Sequence, residues 1–332
     1  MKDESMGVKM QNKENNFMSA VLYIHNDEQI IKEFIERLCT VFNSHFKKYE
    51  IICVNDCSDD KSVEIIRDCA KNMGEGVLVL ISTGFYQGLE SSMIAGVDYA
   101  SGDFVFEFDN IYIDYDINEI MNIYNHCING CDIVGASSEA KVRKSSRLFY
   151  SLFNKHSYAQ YKIKTESFRI LSRRAINRIN QMSITIPYRK AIYASCGLKY
   201  ENRVLLTASA VHNNDNALKP QNKRFGANTT VNPSYRQGLA LDSIIIFTNI
   251  AYKISLVFTV VMILFSVISG IYTLAIFLSG NPVAGWTTTM LMLSVGFFGI
   301  FGILSIVIKY LSLIVSLIFK KTKYIIGNIE RL

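Results

Sequence analysis

Short apolar runs and stretches of helical spacing take turns along the N-terminal part of the chain. Ser19–Ile24 is an apolar run of strand length, and the turn His25-Asn26-Asp27-Glu28 caps a predicted helix over Gln29–Phe42, whose Ile30, Ile31, Phe34, Ile35, Leu38 and Val41 recur at a 3.6 period. Tyr49–Val54 predicts a second strand, closed by the polar cluster Asn55–Asp60, and Ser62–Asn72 a second helix. Val77–Ser82 and Gly88–Tyr99 repeat the pair. Gly102–Asn110 alternates apolar and acidic positions and ends on Asp109, where the chain turns out of the sheet. A helix over Ile117–Asn129, strands at Asp132–Ala136 and Phe168–Ser172, a helix at Arg173–Asn180, a crossing segment Arg189–Tyr200 and a strand at Arg203–Val211 follow. Alternation of this kind predicts an α/β fold: a mainly parallel sheet with right-handed crossovers. Its ligands then bind outside the carboxyl ends of the strands.

The pattern changes completely further on. From Ile254 to Ile308 there is no Asp, Glu, Lys, Arg or His, which is about two bilayer crossings of roughly 20 residues each, interrupted at Ser279-Gly280-Asn281-Pro282. Lys253 precedes the first crossing, and Lys309, Lys320, Lys321 and Lys323 follow the second. By the positive-inside rule both flanks, and the N-terminal domain with them, face the cytoplasm, with Trp286 at the far interface. Leu239–Lys253 is amphipathic and suits the membrane surface. The domain plan is therefore a disordered N-terminus at 1–18, an α/β domain at 19–235, a juxtamembrane amphipathic helix at 236–252, a two-helix transmembrane hairpin at 253–319 and a basic cytoplasmic tail at 320–332. Residues 1–17 are polar and do not read as a signal peptide.

Charge and cysteine content narrow the chemistry. The net charge is +6, but the basic residues are scattered, which together with the anchor argues against nucleic acid as a partner. Seven cysteines with no C-x-x-C pair read as free thiols on the reducing side of a membrane. Cys53/Cys57 and Cys127/Cys131 lack a neighbouring His cluster in sequence, so metal binding is not expected of them. Asp109, at the end of its strand, is placed to hold a metal bound to a diphosphate, because hard cations take oxygen ligands. Arg169 sits on an apolar strand, where an unpaired charge is costly, so a paired or functional role is expected; Arg189 is similar. Arg143 and Arg147 form a basic face suited to lipid headgroups or solvent.

Several short motifs occur in one order. His25-Asn26-Asp27-Glu28 stands for a Y-N-E-E turn, Val54-Asn55-Asp56-Cys57-Ser58 for V-D-D-G-S, and Ala95-Gly96 through Ala100-Ser101-Gly102-Asp103 for A-G-(x)n-A-x-G-D. Glu166-Ser167-Phe168-Arg169, the loop Arg224–Thr229, Pro282-Val283-Ala284-Gly285-Trp286 and Lys320–Ile326 continue the series. On these residues nearly everything after residue 19 resembles family 2 glycosyltransferases of the GT-A fold, in particular the membrane-anchored polyprenyl-phosphate glycosyltransferases related to dolichyl-phosphate mannose synthase. The resemblance implies transfer of a sugar from a nucleotide-diphosphate sugar to a polyprenyl (undecaprenyl) phosphate at the cytoplasmic face of the cell membrane. It further implies a divalent metal, Mg2+ or Mn2+, held by Asp109 and Asp114. Asp27, Glu28, Asn55, Asp56 and Arg224 would face the nucleotide; Arg169, Arg189 and Arg147 would face the acceptor or leaving phosphates. Association of the crossings into a homo-oligomer is a further expectation.

Departures cluster on the donor side. The second acid of D-x-D is Ile111, the first Asp of V-D-D-G-S is Asn55, the N-x-G-K turn keeps only Gly88, with Leu89 for its lysine, and Thr230 replaces a loop lysine. The contrasting expectation is a degenerate homologue that binds lipid phosphate as a scaffold. A processive polysaccharide synthase would need more crossings and a Q-x-x-R-W-type motif, and neither is visible.

Overall fold

The computed structural model describes residues 13–71, 73–113, 115–137, 144–157, 159–182, 188–205 and 324–332, with scattered positions between 238 and 314. The chain divides into two units, the first comprising Met1–Ser151, Ala159–Leu239 and Thr322–Leu332, the second Leu152–Tyr158 and Ala240–Lys321.

In the first unit, strands β1 (Met18–Ile24), β2 (Tyr49–Asn55), β3 (Val77–Thr83) and β4 (Phe104–Phe108) alternate with helices α1 (Ile31–His45), α2 (Ser62–Lys71) and α3 (Leu89–Tyr99). After β4 come α4 (Glu119–Ile128), β5 (Ile133–Ser137), α5 (Lys144–His156), β6 (Phe168–Ser172), α6 (Arg173–Gln181), α7 (Arg189–Tyr193), β7 (Tyr200–Val204) and β8 (Ile326–Arg331). One sheet holds all eight strands in the order β7-β5-β6-β4-β1-β2-β3-β8. Pairs β1–β2, β2–β3, β1–β4 and β5–β7 are parallel; β4–β6, β5–β6 and β3–β8 are antiparallel. The expected α/β domain with a mainly parallel sheet is present.

Side chains alternate across the sheet, and each face has its own cover. Ala20, Leu22, Ile51, Cys53, Phe106, Phe108, Phe168 and Ile170 join one core with Phe34, Leu38 and Phe42 of α1 and Ile120 and Tyr124 of α4. On the opposite face α3 lies so close to β1 and β2 that a Cβ on Gly96 would fall 2.3 Å from Val21 Cγ1 and 2.7 Å from Val54 Cγ2.

Four segments differ from expectation. The described end of the N-terminus expected to be disordered is bound to the domain, Glu14 N–H donating to the His45 carbonyl at 2.7 Å and Phe17 N–H to Asp103 at 2.8 Å, and β1 starts at Met18. The basic run at 139–150 carries α5 from Lys144 onward. β7 starts at Tyr200 rather than Arg203, an edge strand whose polar residues hide its period. The stretch read as a basic tail carries β8, which pairs antiparallel with β3 from Val79↔Arg331 to Thr83↔Ile326. Arg67 grips Glu330 there with two bonds, Nε at 2.9 Å and Nη2 at 2.7 Å.

The predicted hairpin at 253–319 and the juxtamembrane helix at 236–252 lie largely outside the described residues, and among the described residues no helix is long and apolar enough to cross a membrane. At the described positions between 240 and 314 the chain is helical, and Val257, Val261, Leu264, Ile268, Leu293, Ile300 and Leu311 are exposed. Gly299 packs on Met262, whose Sδ would lie 2.6 Å from a Cβ at that glycine.

Overpacking a rigid core typically costs about 1–3 kcal/mol, against roughly 1 kcal/mol gained by replacing a helical glycine with alanine. Gly96→Ala is therefore expected to lower stability, because both facing valines are β-branched and held in strands. Urea denaturation of the two proteins checks it; an unchanged or raised midpoint would show that α3 can shift off the sheet.

Candidate active site

The period-2 alternation of β4 places Glu107 and Asp109 on one face, away from Phe106 and Phe108. Antiparallel pairing then sets Arg169 of β6 directly across from Glu107, and Gly135 of β5 on the far side of Arg169. A side chain at Gly135 would collide with Glu166, its Cβ falling 2.5 Å from Glu166 Oε1, so the missing side chain makes room for that carboxylate.

Around Asp109 a buried ionic cluster results. Arg169 donates Nε to Glu166 at 2.8 Å, Nη1 to Glu107 and to Asp109 Oδ1 (3.3 Å), and Nη2 to Asp109 Oδ2. Arg189, at the start of α7, donates Nε to Glu90 at 2.8 Å, Nη1 to Glu107 at 2.9 Å and Nη2 to Asp109 at 2.6 Å. Tyr193 donates its hydroxyl to Glu107 at 2.6 Å and lies under the Arg169 guanidinium, 5.7 Å from ring centroid to Cζ. Lys190 stands 3.7 Å from Glu166, and Tyr200 donates to the same carboxylate.

Charge and burial set the ionisation states. Burial by itself would raise the Asp109 carboxyl, but Arg169, Arg189 and Lys190 outweigh it and hold the group far below the usual carboxylate range. Burial likewise opposes the charge on Arg169 and Arg189, and the carboxylates around them more than restore it. The Tyr193 hydroxyl is pushed up by burial and by Glu107, so it stays protonated and donates. Four carboxylates (Glu90, Glu107, Asp109, Glu166) face three cations (Arg169, Arg189, Lys190), which leaves one negative charge. Asp109 is the most exposed of the four carboxylates: its side chain is 12% exposed, against 7% for Glu90 and 0% for Glu107 and Glu166.

A second hydrogen-bond hub sits at the ends of β1–β3. Asp56 is fully buried, and each of its oxygens accepts twice: Oδ1 from the Thr83 hydroxyl (3.1 Å) and Gln87 N–H (2.8 Å), Oδ2 from the Tyr23 hydroxyl (3.0 Å) and Gly88 N–H (2.8 Å). Gly88 takes φ +82, a conformation that suits glycine, as it starts α3. Gln87 in turn pairs its side-chain amide with the backbone N–H and C=O of Ile325, just ahead of β8.

The sequence-predicted residues fall into separate places. Asp109, Arg169 and Arg189 come together, but the two guanidiniums are buried against carboxylates rather than presented to phosphates. Asp56 has no oxygen left for a nucleotide in this arrangement; it holds the turn into α3. Asn55 accepts from Ser58 N–H (3.0 Å) and Asp27 from His25 N–H (2.9 Å), each within its own loop, while Glu28 accepts from Lys61 N–H (3.1 Å) and ties the two loops together. Arg147 is exposed on α5. Ile111, in the position of the second acid, is buried in the hydrophobic core. Asp114 and Arg224 lie outside the described residues. Glu107, Glu90, Glu166, Lys190 and Tyr193 are cluster members that sequence reasoning missed. Glu107 was within reach of it, since β-strand alternation puts it on the face of Asp109.

Residues 19–179 match the family model "Glycosyl transferase family 2". Among curated proteins, the chain is 28% identical over 183 residues to the undecaprenyl-phosphate 4-deoxy-4-formamido-L-arabinose transferase of Edwardsiella ictaluri, covering 52% of this chain and 54% of that one. It is 26% identical over 329 residues to a prophage bactoprenol glucosyl transferase homolog of Escherichia coli, covering 95% of this chain and 99% of that one. For the relatives that match first, the chain spans 58%, 54% and 57% of their length. Among solved structures, a mannosyltransferase of Pyrobaculum calidifontis in complex with GDP-Man and Mn2+ aligns over 59% of this chain and 57% of that one, with a TM-score of 0.45 and 12% identity.

Breaking a buried ion pair leaves a partner charge uncompensated and typically costs about 3–5 kcal/mol. Arg169→Met is expected to lose stability on that scale, whereas exposed Arg147→Ala should stay within about 0.5 kcal/mol of the parent; chemical denaturation of both variants checks this.

A pH effect is expected from Asp27, whose carboxyl is pushed up to about 6, mainly by burial. The folded chain then binds this proton more tightly than the unfolded chain, so stability falls as pH rises between about 4 and about 6. Asp27→Asn should remove up to about 2–3 kcal/mol of that loss, read as a flatter dependence of the urea midpoint on pH across this window.

Proposed function

From a chain whose residues 19–179 form a glycosyltransferase family 2 domain, we propose that the protein transfers a sugar from a nucleotide-diphosphate donor to a polyprenyl phosphate. The observation that carries the reading is Asp109, held ionised by two buried guanidiniums at the carboxyl end of β4 with one edge toward solvent. Ligands of open α/β sheets bind at this edge.

An acceptor phosphate is already an anion at neutral pH, so its oxygen attacks the anomeric carbon without a side-chain base. What the protein must supply is alignment of nucleophile and sugar, and stabilisation of the diphosphate as it leaves. Arg169 and Arg189 act as positioning residues: they fix the Asp109 carboxylate in one orientation and keep it charged. The donor set fits a divalent ion, because the cluster is one positive charge short and a carboxylate oxygen has lone pairs beyond those the guanidiniums use. Asp109 would hold that ion, with Asp114 as the expected second acid. Such an ion supplies positive charge to the departing diphosphate.

Donor specificity then rests on the loops that Asp56 and Asp27 organise. Gln87, Gly88 and the Asn26–Ser58 pair frame the nucleotide side of the sheet edge. Arg147, exposed on α5, is available to an acceptor phosphate; Phe149 of the same helix packs on Tyr188 beside Arg189, ring centroids 6.0 Å apart. A lipid acceptor is supported by the charge-free sequence from Ile254 to Ile308 and by the exposed apolar residues of its described helical positions. We place the sugar-transfer domain on the cytoplasmic side of the cell membrane on the strength of the flanking lysines.

The test is transfer of radiolabelled sugar from a panel of UDP- and GDP-sugars into undecaprenyl phosphate, with and without Mg2+ or Mn2+. One donor is expected to move label into the organic phase. Asp109→Asn should lower that rate by about a hundredfold or more, while Arg147→Ala should act chiefly on the acceptor KM. No transfer from any donor, with no nucleotide binding by calorimetry, would overturn the enzyme in favour of a lipid-phosphate-binding scaffold.

A further inference from the structure

A second cluster of ligating side chains sits at the other end of the sheet. β5 runs parallel to β4, both being antiparallel to β6, so the residues ahead of β5 lie opposite the edge that carries Asp109. There His126 from the last turn of α4, Cys131 from the turn into β5, and Glu201 from edge strand β7 converge. His126 Nε2 is 2.7 Å from Glu201 Oε2 and 3.8 Å from Cys131 Sγ, and the three donor atoms all lie within 4.8 Å of one another. None of these residues takes part in the site around Asp109.

We propose that His126, Cys131 and Glu201 form a zinc-type metal site that fastens β7 and α4 to the start of β5. The chemistry of the donors selects the ion. Imidazole, thiolate and carboxylate together suit Zn2+, while Mg2+, Ca2+ and Mn2+ prefer oxygen alone. Zinc bond lengths require tetrahedral donors about 3.3–3.6 Å apart, so the Sγ–Nε2 separation is already close and the Nε2–Oε2 pair has to open by about half an ångström. Thiolate and carboxylate balance the double charge of the ion, the thiol proton leaving to solvent as the metal binds. A fourth position stays open to water.

The surroundings favour this use of the carboxylate. Lys199 Nζ holds Glu201 Oε1 at 3.2 Å and so presents Oε2 to the other two donors. Cys127 Sγ donates to the Cys131 carbonyl at 3.3 Å and steadies the turn. Arg203 lies 3.0 Å from His126 Nδ1 and 3.1 Å from Nε2; it is exposed and swings into solvent when the ion enters. The ion would join an edge strand, a helix end and a turn, so a rise in thermal stability accompanies loading.

The full-length chain, purified without metal-affinity resin and stripped with EDTA, should take up about one Zn2+ per chain in competition with a chromophoric chelator. Co2+ in its place should give a thiolate-to-metal charge-transfer band. Cys131→Ser should abolish that band, and His126→Gln or Glu201→Gln should weaken binding about tenfold or more, with Cys39→Ser as a control that leaves both unchanged. If Cys131→Ser does not fold, the wild-type band and the Glu201→Gln affinity decide the matter. No retained zinc, a Co2+ complex without a thiolate band, or a band that survives Cys131→Ser would overturn the site.

Discussion

The pairing of Arg169 with Glu107 and Asp109 is the constraint on which the rest of this domain turns. A guanidinium with no exposure on a central strand costs far more than a surface charge unless every donor is met. Here β4 supplies the carboxylates by strand alternation, β6 supplies the guanidinium by register, and β5 supplies space through Gly135. Moving any of these strands by one residue would turn the charged side chains toward the aromatic core formed by Phe106, Phe108 and Phe168. The cluster therefore fixes register as well as charge. Asp109 inherits its orientation and its ionised state from that arrangement.

A similar economy is visible on the neighbouring strands. The Asp56 carboxylate is spent entirely on protein donors, and what it organises is the turn at Gln87-Gly88 from which α3 departs. That turn also carries the contact with Ile325, so the C-terminal segment binds the Gln87 turn and then pairs along β3 as β8. An edge strand left bare is a site for unwanted pairing; β8 covers β3 and itself becomes the terminal strand of the sheet. The Gln87-Gly88 turn and the C-terminal segment are thus parts of one hydrogen-bonded structure.

The metal question looks different at the two ends of the sheet. At the β4 end the donors are oxygens, the partners are arginines, and Ile111 has withdrawn the second acid position into the core. At the other end the donors are mixed and soft, and they come from three elements. The cysteine pair Cys127/Cys131 offers no full metal pattern in sequence, because beside the adjacent His126 the third donor, Glu201, lies seventy residues further on in β7. Folding separates the two cysteines into different roles, one a hydrogen-bond donor and one a candidate ligand.

The sequence by itself determined what depends on local periodicity. The strands β1 to β3 were legible as short apolar runs, β4 by its alternation and their helices by apolar positions at a 3.6 period, and β6 was legible to its end residues because Phe168–Ser172 is short, apolar and bounded by polar turns. Asp109 stood out because the apolar–acidic alternation of Gly102–Asn110 ends on its carboxylate where the chain leaves the sheet. Tertiary structure alone decided what depends on partners. β8 was hidden because its residues are polar and its partner β3 lies more than two hundred positions earlier in the chain. Arg169 and Arg189 read as phosphate ligands until Glu107, Glu90 and Glu166 were seen to occupy their donors. Asp56 read as a nucleotide contact until four donors were seen to fill it. A side chain's chemistry is written in the sequence, but which groups have already satisfied it is set only when distant strands are brought into register.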